Sequence, residues 1–155
     1  MIRTLALAST LAFATAAWAA DGAKPAADPA KPQANTAKPA VQIDKPHYAV
    51  TVDVPAGAPA QISMAPRGGF KINKAYPTKI MLKAGAGVTL PKTTLKKGDA
   101  TSLEEKGASF PVRYTAAEAG GEVEATVKFS VCNAETCEMV KEKVAWKVIA
   151  SAKSK

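Results

Sequence analysis

The sequence predicts an all-β fold: an immunoglobulin-like antiparallel β-sandwich preceded by a disordered tail rich in alanine, lysine and proline. Between residues 46 and 150, short runs of alternating or β-branched residues recur, separated by turns that carry glycine. No window in that region has a helical hydrophobic period with caps. About a hundred residues is also the commonest size for one domain with a single core, and seven or so short strands in that length suit two packed sheets.

The chain begins Met1-Ile2-Arg3, continues through an apolar run from Leu5 to Ala17, and reaches Ala17-Trp18-Ala19, with small residues at the two positions a signal peptidase reads. Residues 1–19 read as a Sec-type signal peptide cleaved near Ala19, which places the mature protein in the periplasm or outside the cell. The run is too short and too rich in alanine for a membrane span, and no cysteine follows the cleavage site to take a lipid. No transmembrane segment is expected in the mature chain.

Residues 20–45 repeat Ala-Lys-Pro three times and have Val41 and Ile43 as their only large apolar side chains. That composition buries too little surface to offset the entropy of ordering it, and the prolines favour an extended, semi-stiff spacer. The segment reads as a disordered linker. Its spaced lysines, Lys24, Lys31, Lys38 and Lys45, suit contact with an anionic cell envelope. The formal net charge is +8, and loss of the signal removes Arg3 alone among charged residues, leaving 8 − 1 = +7. Lysines scattered among acidic residues, without a basic stripe interleaved with aromatics, argue against a nucleic-acid partner.

Within the domain, strand-like runs fall at His47 to Val54, Ala60 to Met64, Phe70 to Ile72, Thr78 to Lys83, Phe110 to Thr115, Glu122 to Val131 and Glu138 to Ile149. Met64 and Met81 read as core filler. Residues 151–155 form a short tail.

The last two runs are the most informative. Val123, Ala125, Val127, Phe129 and Val131 alternate with polar residues, so the odd positions face the core and Cys132 has outward parity. Val140, Val144, Trp146 and Val148 share one face of the final run, while Cys137 has the parity of Lys141, Lys143 and Lys147. A hairpin closed by Asn133-Ala134-Glu135-Thr136 sets Cys132 directly across from Cys137. Opposed residues on antiparallel strands have Cα atoms ~4.5 to 5.5 Å apart, within disulfide reach. Export puts the pair where disulfides persist.

Three chemistries suit two such cysteines. A staple around about six residues contributes roughly 2 kcal/mol, near the low end for a disulfide. Outward parity at a hairpin tip instead suits attack by another protein's thiolate. Cys132, Cys137 and Met139 are also soft ligands of the kind that hold Cu(I), although a structural zinc site lacks its four ligands here. Glu135 and Glu138 disfavour a thiolate at Cys137, whereas Lys128 and Lys141 on the outward face favour one. His47, the only histidine, reads as a solvated or hydrogen-bonding side chain at a strand end. Hydrolytic and nucleotide chemistry lack their motifs, and no cofactor is expected.

The segments "GGFKINKAYPTKIMLKA" and "FPVRYTAAEAGGEVEATVKFSVC", followed by a second cysteine across a short loop, lie in a stretch from Gly68 to Ile149. This stretch resembles the N-terminal periplasmic domain of the thiol:disulfide interchange protein DsbD, an immunoglobulin-like domain. The resemblance implies that Cys132 and Cys137 are a redox-active pair that accepts electrons from one dithiol protein and passes them to other oxidised exported proteins. The loop between the cysteines is one residue shorter than in that family, Glu138-Met139-Val140 replaces its Tyr-Pro-Pro, and "TTLKKGDATSLEEKG" offers no aromatic cap. Two functions of different class follow from the residues. One is an exported thiol:disulfide exchange protein with interchange activity at Cys132 and Cys137. The other is a non-catalytic exported binding or structural module in which the same bond locks a hairpin.

Overall fold

The computed structural model describes residues 40–149; the segment read as a signal peptide, most of that read as a linker and residues 151–155 lie outside them. Among these residues there are twelve strands: β1 (Val41–Asp44), β2 (Tyr48–Asp53), β3 (Ala60–Pro66), β4 (Lys71–Ile72), β5 (Lys79–Ala84), β6 (Val88–Thr89), β7 (Thr94–Lys96), β8 (Ser102–Glu104), β9 (Gly107–Val112), β10 (Thr115–Ala116), β11 (Gly121–Cys132) and β12 (Cys137–Val148). One 3-10 turn, Lys97–Asp99, is the only helical element among the described residues.

The strands form two main antiparallel sheets and a small two-stranded one, β6 with β10. Of the main sheets, one has the order β1-β2-β3-β9-β8, the other β12-β11-β5-β7, with β4 paired to the end of β11. Taking β2 as strand A, these are the ABED and GFC sheets of an immunoglobulin-like sandwich, with β7 in the position added beyond C. The disulfide that joins strands B and F between the sheets of antibody domains has no counterpart here. Its place between β3 and β11 belongs to apolar side chains, among them Ile62, Met64, Val127 and Phe129, all buried.

Alternation builds that core. β3 buries Ala60, Ile62 and Met64, β9 buries Ala108, Phe110 and Val112, and β11 buries every odd residue from Val123 to Val131. The sheets meet edge to face where the Tyr48 ring packs at 5.4 Å and 85° on Phe129.

Strand β1 lies inside the segment whose composition reads as linker, so the ordered domain begins earlier than residue 46. Val41 and Ile43 pack against the core, and β1 pairs along its whole length with β2, from Val41↔Val52 to Asp44↔Ala49. Asp44 also holds Arg67 at 2.5 Å. A strand of four residues escapes a compositional reading because its stability comes from a neighbouring edge rather than from its own pattern. The same holds for β7 and β8. Met81 is not core: Ile80 and Leu82 take the buried positions of β5, and Met81 stands on the outer face opposite Thr126.

A glycine pair sets where β11 begins. Gly120 has φ +72°, and a Cβ there would collide with the Val148 carbonyl; one on Gly121 would meet the Ala86 carbonyl and the Val88 side chain. Backbone of three segments thus converges where no side chain fits. Gly120→Ala is expected to destabilise the domain by about 2 kcal/mol or more, read as a lower midpoint in urea.

Candidate functional site

The β11–β12 hairpin pairs without a bulge through twelve rungs, from Gly121↔Val148 to Cys132↔Cys137. The parity read from the sequence therefore holds to the tip, and the two cysteines are bonded with Cα atoms 4.0 Å apart. The closing loop is built by Asn133. Its side-chain carbonyl accepts the backbone N–H groups of Glu135 (2.9 Å) and Thr136 (2.7 Å), while its own N–H donates to the Thr136 carbonyl at 2.9 Å. Asparagine does this because its short side chain mimics a backbone turn.

The two sulfurs have different surroundings. Cys137 is exposed on the free edge of its sheet, since β12 is an outermost strand, whereas Cys132 is half-buried between β12 and β4. On that second side Cys132 pairs with Lys71 and Val131 with Ile72. Ser130, buried although it has outward parity, points its hydroxyl at Cys132 Sγ across 3.9 Å. A disulfide sulfur carries no proton, so the hydroxyl is the donor.

The Gly-Gly-Phe segment positions the rest of the site. Gly68 (φ +59°) and Gly69 (φ +79°) turn the chain after Arg67, whose carbonyl accepts the Phe70 N–H at 3.0 Å. Phe70 then stacks on the His47 ring, with centroids 4.1 Å apart and planes 19° off parallel. The following residue, Lys71, is the one across from Cys132, and it binds Glu105 at 3.0 Å. That contact holds the Glu105 carboxyl below the ordinary carboxylate range. Lys71, Asn73, Lys74, Glu105, Cys132 and Asn133 border an open groove of about 560 Å³ beside the disulfide.

On its core side, the same end of β12 carries two carboxylates whose partners sequence patterning does not name. Glu138 accepts from or pairs with His47 Nδ1 at 2.8 Å, and Glu142 accepts the Tyr48 hydroxyl at 2.7 Å. His47 is thus brought to the residue that follows Cys137, but its ring nitrogen engages a carboxylate rather than a thiol. Burial, with the Glu142 hydrogen bond and the negative charges of Glu142 and Glu138, pushes the Tyr48 phenol far above its ordinary value. The only signal for this pairing in the sequence is an acidic residue at core parity on the last strand, and its partners sit some ninety residues away.

Of the sequence-predicted residues, the fold brings together Cys132, Cys137, Lys128, Lys141 and Met139 on one outer face. Met139 is 77 % exposed. No group of three or more His, Cys, Asp or Glu residues arranged for a metal ion occurs among the described residues. Among them, too, no helix is long and apolar enough to cross a membrane. Together, fold and site define an immunoglobulin-like sandwich that carries a surface disulfide on the outermost rung of its terminal hairpin. No family model, curated protein or solved structure matches the chain.

Two outcomes are expected from this geometry. Asn133→Ala removes the acceptor of two loop N–H groups and should lower stability by about 1–2 kcal/mol in urea. Tyr48→Phe is expected to cost about 1 kcal/mol near pH 7. The raised phenol in the folded state also means that native stability is full below the ordinary value of 10.0 and falls as pH rises past it. Urea titrations across about pH 8 to 11 should show that decline in the native protein and a shallower one in Tyr48→Phe.

Proposed function

We propose that this protein is an exported thiol:disulfide exchange protein, an electron carrier that works through Cys132 and Cys137. The observation that carries the reading is the position of the bond. It lies outside the core, on the last rung of an edge hairpin, where it closes a loop of about six residues and contributes only about 2 kcal/mol to a fold with a full core of its own. A structural cross-link gains more between distant strands; a reactive one needs an approachable sulfur.

The asymmetry of the pair favours one direction of attack. An incoming thiolate reaches the exposed Cys137 Sγ in line with the S–S bond, a new S–S bond forms to the partner, and the old one breaks with its electron pair going to Cys132. The Ser130 hydroxyl, 3.9 Å from the Cys132 sulfur, lies where it can donate to the thiolate that leaves. A second thiolate of the partner then attacks the partner's own sulfur in the mixed disulfide and releases Cys137 as thiol. Two electrons and two protons have passed to the pair, and the reverse sequence delivers them to an oxidised protein. The resemblance to the N-terminal domain of DsbD supports this chemistry. The N-terminal signal supports a periplasmic or secreted setting, and the lysine-bearing linker supports contact with an anionic envelope.

The reduction potential of the pair tests the reading, measured by equilibrating the protein in graded thiol buffers and trapping free thiols by alkylation. A value roughly between −180 and −270 mV is expected, the range of exchange proteins. A value below about −300 mV would mark the bond as a hairpin lock and make the domain a binding or structural module. Replacing both cysteines by serine should abolish exchange, keep the fold, and lower stability by about 2 kcal/mol.

A further inference from the structure

The outer face of the β12-β11-β5-β7 sheet carries a feature that neither folding nor the disulfide explains. Register places Lys141 opposite Lys128, Lys128 opposite Lys79, and Lys79 opposite Lys96. Four lysines therefore stand side by side on one rung across four strands, spanning about 14 Å at the usual strand spacing. Like charges directly opposite one another destabilise a sheet. Among the described residues, none of the four forms an ion pair; Asp99, already bound to Lys92 at 2.5 Å, is a nearby carboxylate for Lys96 alone. On the same sheet Lys83 does have a partner, Glu124 at 3.6 Å, so pairing is available to this face and is not used on the lysine rung.

The row is in line with the disulfide. Moving along β11 and β12 on the outer face, the rungs read Lys128 with Lys141, then Ser130 with Met139, then Cys132 with Cys137. The row lies four residues from the sulfurs, about 13 Å at strand rise. Between them stands Met139, a flexible, polarizable side chain exposed to 77 %. Resting on the thiol-exchange reading, we propose that this face is the docking surface for the redox partner. The partner is a thiol protein with an acidic patch about 13 Å from its reactive cysteine, which the lysine row steers and orients so that its sulfur meets Cys137. A transient electron-transfer encounter needs only a small interface, and three rungs of one sheet face suit that scale.

Three synthetic thiol peptides test this. Each has one cysteine and a three-residue glycine-serine spacer, followed by four aspartates, four lysines or four serines. Second-order rates of reduction of Cys132–Cys137 are divided by the rates of the same peptides on hydroxyethyl disulfide, which removes differences in intrinsic thiol reactivity. At low salt the aspartate peptide is expected to react about tenfold or more faster than the lysine peptide. That ratio should collapse near 1 M salt, where the screening length is about 3 Å. It should also collapse in the quadruple variant Lys79→Gln, Lys96→Gln, Lys128→Gln, Lys141→Gln, whose melting temperature should not fall because repulsion has been relieved.

Equal normalised rates for the aspartate and lysine peptides, with the serine peptide still reacting, would overturn the docking surface and leave thiol exchange standing. Failure of all three peptides to react would sink the exchange reading and this proposal with it. Co-sedimentation with phosphatidylglycerol vesicles that depends on the four lysines, with no charge effect on the peptide rates, would assign the row to a membrane surface and overturn the partner proposed here.

Discussion

The unbroken pairing of β11 with β12 is the constraint on which the rest depends. Because twelve rungs run without a bulge, a single parity holds from the glycine pair at one end to the cysteines at the other. A slip of one residue would turn Val127, Phe129 and Val131 to solvent and the lysines to the core, so burial itself enforces the register. The glycine pair fixes one end by excluding side chains, and Asn133 fixes the other by satisfying the loop. Between these pins, the register holds the two cysteines opposite each other within bonding distance.

Towards its tip the hairpin separates charge by face. There its outer face bears Lys128 and Lys141, with Glu122 and Glu124 at the far end of β11, while its inner face, at the open edge, bears Glu138 and Glu142 in contact with His47 and Tyr48. The carboxylate that follows Cys137 is therefore engaged from the core side, and the side from which a partner approaches is positive. The asymmetry within the disulfide has a similar origin. Cys137 is accessible because β12 has no further neighbour, and Cys132 is covered because β4 does lie beside it.

Much of this was legible in the residues. Alternation over Glu122 to Val131 and over Glu138 to Ile149 named the buried positions, and equal outward parity with a four-residue loop set the cysteines opposite each other. Elements whose order comes from a neighbour were not legible. β1 has two apolar residues in a lysine- and proline-rich setting, and β7 and β8 have three residues each. The outward turn of Met81 follows from the pairing partner of β5, which a short apolar run does not declare. The lysine row was half visible: Lys128 and Lys141 could be placed on one face of the hairpin, but Lys79 and Lys96 join them only through the registers of β5 with β11 and of β7 with β5. Likewise, nothing near His47 or Tyr48 in the chain names Glu138 or Glu142.

The inward carboxylates bear on how the domain lives in a crowd. β12 is a long, unbulged outermost strand, and such an edge invites a second strand to add to it. A copy of the chain pairing there would have to close over Glu138 and Glu142 on one side and align its own lysines with Lys141 and Lys143 on the other. Both steps are electrostatically unfavourable. The strand that keeps a sulfur open to strangers is, by its charge pattern, closed to its own kind.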